Sequence, residues 1–151
     1  MTNNNINSTT SAAADFDTLI TTSNKVSNLQ LDSNSIIMVI GVGGAGGNAV
    51  NHMQTMGITG VNFVVCNTDQ AAVANCKVEN KIQMGPGLGA GNDANRGREL
   101  AIASEDQLRS LLETTRVKML FIAAGMGGGT GTGASPVIAR IAHDLGILTV
   151  A

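Results

Sequence analysis

Val117-Lys118-Met119-Leu120-Phe121-Ile122-Ala123-Ala124-Gly125-Met126-Gly127-Gly128-Gly129-Thr130-Gly131-Thr132-Gly133 is the stretch on which the fold turns. Val117 to Ala124 is an apolar run too short for a helix and reads as a strand buried on both faces. A glycine loop follows, and Ala134 to Leu145 then reads as a helix. Pro136 is tolerated in its first turn and Gly146 ends it. Ile147 to Ala151 begins a further strand.

The same strand–glycine–helix order occurs upstream. Ile36 to Ile40 reads as a buried strand, Gly41-Val42-Gly43-Gly44-Ala45-Gly46-Gly47 as a loop, and Asn48 to Met56 as a helix ended by Gly57. Val61 to Cys66 is a second buried strand, followed by Asn67-Thr68-Asp69 and a short helix over Gln70 to Asn75. Lys81 to Met84 alternates like an edge strand. Gly85-Pro86-Gly87-Leu88-Gly89-Ala90-Gly91 is irregular, and Asn95 to Thr115 reads as one amphipathic helix with Leu100, Leu108, Leu111 and Leu112 inward. The order predicts an α/β domain, a Rossmann-like and mostly parallel sheet with flanking helices. Ligands of such sheets bind at the carboxyl ends of the strands, where the glycine loops lie.

Composition narrows the function. The chain has 151 residues, 43% hydrophobic and 13% charged, with a formal net charge of −2. That suffices for one domain. With no Trp, no Tyr, 3 Phe and no basic run, nucleic acid is not an expected partner. No segment approaches the roughly 18 apolar residues of a membrane span, so no direct membrane insertion is expected. No Lys or Arg precedes Lys25 and no apolar block accompanies it, unlike a secretory signal. Cys66 and Cys76 form no CxxC pair, and a reduced, cytoplasmic protein is the default reading. Met1 to Ser35, rich in Asn, Ser and Thr, is expected to be a disordered tail; a short docking helix starting over Asp15 to Ile20 is the alternative. Residues 36–151 form the expected domain.

Among 19 glycines, those in two loops carry the chemistry. Gly41-x-Gly43-x-x-Gly46 lets backbone approach a ligand, and the following helix offers free amides to an anion. This pattern alone also fits a Rossmann-type NAD- or SAM-binding domain, with Asp69 near the ribose position. Gly127 to Gly133 discriminates, because a purely structural turn does not need that density of glycine. Its amides can form an anion-holding concavity, and the Thr130 and Thr132 hydroxyls can add hydrogen bonds. No Gly-Lys-Ser/Thr is present and no lysine lies between Lys81 and Lys118, so this is not a Walker A loop. Phosphate charge must be met by amides, helix dipoles and Mg²⁺.

Gly127-Gly128-Gly129-Thr130-Gly131-Thr132-Gly133 resembles the signature loop of the FtsZ/tubulin GTPase family. Phe121 to Met126, Ile40 to Gly44, Asn48-Ala49-Val50, Asn67-Thr68-Asp69, Gly87 to Gly91 and Asp144 to Ala151 resemble its bacterial cell-division branch. The resemblance covers Ile36 to Ala151. It implies GTP/GDP binding, head-to-tail self-assembly into filaments and a place in the division ring at midcell with other division-ring proteins. Carried onto this chain, it implies a first nucleotide loop of Gly43, Gly44, Ala45, Gly46, Gly47 and Asn48. Asn67 and Asp69 then lie near phosphates and metal. Gly89, Ala90 and Gly91 approach the γ-phosphate, and Gly127, Gly128, Gly129, Thr130, Gly131, Thr132 and Gly133 wrap the phosphates. The chain departs from the family at Pro86, which alone fills a usually longer loop, and at Ala94, where Pro is common. Family members continue beyond the Ala151 equivalent, and the resemblance places the ribose and guanine contacts and an acidic loop there. No residue here is therefore assigned a catalytic role, no metal ligand is named, and little hydrolysis is expected from this chain alone.

Other residues have plainer readings. His52 and His143 lack partners at metal spacing and read as surface or interface residues. The methionines fill core positions. Glu99, Glu105, Glu113, Arg109 and Arg116 read as a solvated helix face.

Overall fold

The computed structural model describes residues 29–151. Five strands form one sheet in the order β3-β2-β1-β4-β5, and every neighbouring pair is parallel. The strands are β1 (Ile37–Val42), β2 (Val61–Asn67), β3 (Asn80–Gln83), β4 (Met119–Ala124) and β5 (Leu148–Val150). The helices are α1 (Gly43–Thr55), α2 (Gln70–Asn75), α3 (Ala94–Ala103), α4 (Glu105–Thr114) and α5 (Gly129–Asp144). This is the expected α/β architecture.

Parallel strands need crossover connections, and those helices cover both faces of the sheet. Side-chain alternation along β1 divides the core. Met38, Ile40 and Val42 share one side with Leu108, Leu111, Ile138 and Ile141 of α4 and α5. Val39 faces the other side with Phe63, Val65 and Val50 of α1. Fully buried side chains such as Ile40, Leu111 and Leu120 each gain about 1.5–3 kcal/mol on leaving water.

Two expectations are corrected. The helix expected over Asn95 to Thr115 is broken at Ser104, which leaves helical geometry at φ −104° and ψ 14°. The bend brings the Ser104 hydroxyl 3.3 Å from the Gly85 amide, which donates to it. Ordered backbone also starts before Ile36. Leu29 and Leu31 pack against the larger core. The Asp32 amide donates to Asn62 Oδ1 at 2.9 Å, and Asn62 Nδ2 returns a bond to Asp32 O at 3.0 Å. Polar composition concealed this strap, because its anchors are backbone groups met by buried asparagines. The rest of the tail, including Asp15 to Ile20, lies outside the described residues.

Candidate functional site

Strand order reverses between β1 and β4. The chain leaves β1 toward β2 and β3 on one side, and leaves β4 toward β5 on the other. Their carboxyl ends lie side by side, with Val42 in register with Ala124. Crevices at such a switch point are where open α/β sheets bind ligands. Both following helices begin inside the glycine segments, at Gly43 and Gly129 rather than at Asn48 and Ala134. Neither has a side-chain cap at its N-terminus, where Val42 and Gly128 stand. The first amides of a helix have no intrahelical acceptor, and the dipole makes that end positive. Two such ends therefore lie side by side at the carboxyl rim of the sheet. By contrast, Asp69 caps α2 through Ala71 and Ala72 (2.8 and 3.2 Å), and Asp93 caps α3 through Asn95 and Arg96 (2.8 and 3.4 Å).

The glycines divide into two kinds. A Cβ at Gly46 would collide with Ala123 O, and one at Gly133 with Ala94 O. At Gly131 it would lie 2.5 Å from Gly125 O, and at Gly129 it would lie 2.8 Å from Ala90 Cβ and 2.9 Å from Asp93 N. These positions are glycine because helices and loops approach too closely for any side chain. A Cβ at Gly44, Gly127 or Gly128 would meet nothing within 4 Å. Gly127 has φ +93°, which restricts other residues, but packing explains neither Gly44 nor Gly128. The glycine density of Gly127 to Gly133 is thus partly structural, contrary to the expectation from sequence. A side chain at Gly129 would first disturb Ala90 and Asp93.

The segments close into one unit. A Cβ on Gly43, itself at φ +72°, would lie 3.0 Å from the Gly131 amide nitrogen. Thr68 Oγ1 and Thr130 Oγ1 lie 2.7 Å apart, and the Gly127 amide donates to Thr132 Oγ1 at 3.0 Å. Both threonine hydroxyls therefore help position the loop, Thr132 as an acceptor whose O–H is left to donate. Asn67, 5% exposed, accepts from the Thr68 and Asp69 amides at 2.8 and 3.2 Å. The Gly89 amide donates to Thr68 O at 2.9 Å and Gln70 to Gly87 O at 2.9 Å, so the short Pro86 loop lies pinned on the Asn67–Gln70 segment. Ala90 is buried, while Gly91 faces open space.

Two residues escaped the sequence reading. Thr68, fully buried, is the tie between the second strand's loop and the α5 loop; its place between Asn67 and Asp69 was the available signal. Asn51 lines a cleft of about 200 Å³ with Gly43, Gly44, Gly47, Asn48 and Asn67. Its Oδ1 is buried without a hydrogen-bond partner among the described residues. Nothing in its helical spacing marked it.

Among the described residues no three His, Cys, Asp or Glu side chains group to hold a metal ion. Asp69 and Asp93 are both exposed, and Asp93 backbone lies against Gly129. Burial pushes the Cys66 thiol up to about 12, so it stays protonated and inert. His143 is solvent-exposed, 3.7 Å from the carboxylate of Asp144.

The family model for the Tubulin/FtsZ family, GTPase domain, matches residues 36–151. The chain belongs to the Tubulin/FtsZ family. It is 51% identical over 127 residues to the cell division protein FtsZ of Buchnera aphidicola subsp. Baizongia pistaciae, covering 82% of this chain and 32% of the relative. It is 49% identical over 121 residues to FtsZ of Pseudomonas aeruginosa, covering 78% and 30%. The chain thus spans about a third of the length of these relatives. An empty FtsZ dimer from M. jannaschii superposes with a TM-score of 0.70 at 34% identity, over 88% of this chain and 37% of that one. CetZ2 from Haloferax volcanii, solved as a GTPγS-bound protofilament, gives 0.67 at 28% identity over 75% and 37%. The Tubulin/FtsZ fold therefore accounts for the parallel sheet and its flanking helices. Among the described residues no helix is long and apolar enough to cross a membrane.

Proposed function

We propose that this chain binds GTP or GDP, and that residues 36–151 are the nucleotide-binding part of a cytoplasmic, GTP-dependent polymerising division protein. The observation that carries the reading is the pair of uncapped helix N-termini, α1 and α5, meeting at the switch point under open glycines. Anions are stabilised at such ends by aligned amides and dipole. The phosphates would lie against Gly43 to Asn48 and Gly127 to Gly133, with Gly89 to Gly91 beside them. Thr130 and Thr132 hold the cradle's shape through Thr68 and Gly127.

A bound Mg²⁺ would supply charge neutralisation that this lysine-free cradle lacks. Asp69 would be the side chain offered to such an ion, and its Oδ1 is already engaged in capping α2. That fits an ion held mainly by phosphates and water. The cell-division relatives and the solved FtsZ dimer and CetZ2 protofilament support head-to-tail self-association, and we extend this to recruitment with division-ring proteins at midcell. No described residue is given a catalytic part, and the chain by itself is expected to turn over little GTP.

Titration of the chain with GTP, NAD and S-adenosylmethionine in the presence of Mg²⁺ tests this reading. Saturable GTP binding with neither competitor displacing it is expected. Preference for NAD, or indifference to all of them by a folded chain, would overturn it.

A further inference from the structure

A second, larger cleft of about 360 Å³ lies between α3 and α5, and it is cationic. Its walls include Asn95 and Arg98 of α3 and Thr132, Gly133, Pro136 and Arg140 of α5. The helices approach closely here because Gly133 sits against Ala94 O and Gly97 against Gly129 O. Ala94 and Val137 complete the lining, and Arg98 and Arg140 are exposed.

The surrounding charges leave both arginines available. No acidic residue lines the cleft. Neither Arg98 nor Arg140 has an ion-pair partner among the described residues; the pairs present are Arg96–Glu99, Arg109–Glu105 and His143–Asp144. Glu99, the neighbouring acid on α3, is taken by Arg96 at 3.3 Å, and Asp93 Oδ1 is taken by the α3 amides. Arg98 and Arg140 line the same cleft without a carboxylate between them. Their planar, forked donors suit phosphate oxygens.

We propose that Arg98 and Arg140 form an anion subsite for a phosphate group, continuous at Thr132 and Gly133 with the cradle. The proposal rests on the nucleotide reading only in that shared wall. It gives the lysine-free cradle a source of side-chain positive charge at the α3–α5 end. The phosphate could belong to the nucleotide or be free in solution, and the chemistry of recognition is the same.

The test is isothermal titration of the full chain with inorganic pyrophosphate, GDP and GTP at low and moderate salt. The variants are Arg98→Gln, Arg140→Gln, the double variant, and Arg116→Gln as a charge-matched control outside the cleft. Circular dichroism confirms that each variant is folded. The subsite predicts that the double variant weakens pyrophosphate binding by about tenfold or more while the control changes it less than about twofold. A matching loss for GTP assigns the subsite to nucleotide phosphate; loss for pyrophosphate alone assigns it to a free anion. Equal losses in control and double variant, or no loss in the double variant, overturn the subsite. If GTP still binds in that case, the nucleotide reading stands without it. Arginine-dependent pyrophosphate binding by a chain that ignores GTP, NAD and S-adenosylmethionine leaves the subsite and removes the nucleotide reading.

Discussion

Four helices follow strands at the carboxyl rim of the sheet, and they begin in two different ways. The α2 and α3 helices are closed by aspartates, Asp69 and Asp93, whose carboxylates take the first free amides. The α1 and α5 helices have no such side chain and begin in glycine. Side-chain capping is worth about 1 kcal/mol per helix, so two adjacent helices forgo a common stabilising device at one spot. The difference supports the proposed reading, in which the free amides of α1 and α5 are left for an anion that is not part of the chain. A second contrast lies inside α5's own start, where Gly129, Gly131 and Gly133 serve packing and Gly127 and Gly128 face open space.

The packing half of that contrast breaks under Gly133→Ser. The new side chain would meet the Ala94 carbonyl and the Arg98 amide, both backbone. A loss of about 3 kcal/mol in urea unfolding is expected, at the upper end of overpacking costs. Little change would mean that α3 and α5 part easily.

The capping contrast is erased by Gly128→Asp, which puts a carboxylate at the N-cap of α5, in extended backbone with room for it. Stability should hold or rise by a few tenths of a kcal/mol. GTP affinity should fall by about a hundredfold, because the substituent occupies the amides and repels phosphate. Unchanged affinity with intact stability would remove the α5 terminus from the site.

At the capped end, Asp69→Ala should cost about 1 kcal/mol of stability, whereas Asp69→Asn keeps the cap and the stability. Comparing Mg²⁺-dependent GTP binding of the Asn variant with the unmodified chain separates the capping role from any part beside the metal. Equal dependence in both would leave Asp69 as a cap alone.

Much of this was legible in the sequence. The short apolar runs at Ile36 to Ile40, Val61 to Cys66 and Val117 to Ala124, the first and last ending in glycine, predicted parallel strands with their loops on one rim. Their buried faces dictate that pattern, since a strand covered on both sides has no polar alternation. Helix starts were less legible. Gly43 to Gly47 and Gly129 to Gly133 look like loop because glycine is a poor helix former, yet closeness to Ala123, Gly125 and Ala94 demands glycine at Gly46, Gly131 and Gly133. The division of labour among the glycines was hidden for the same reason: it depends on what lies opposite each Cα. Thr68 and Asn51 were missed because a hydrogen bond across 62 residues and an unpartnered oxygen leave no trace in local spacing. The strap from Leu29 escaped because its composition is that of a tail.

Amide hydrogen exchange of the chain with and without GTP and Mg²⁺ tests the central claim most directly. The account predicts added protection at Gly43 to Gly47 and at Gly127 to Thr130, with the capped starts of α2 and α3 changing little. Protection confined to other segments, with the amides of α1 and α5 exchanging as in the free chain, would contradict it.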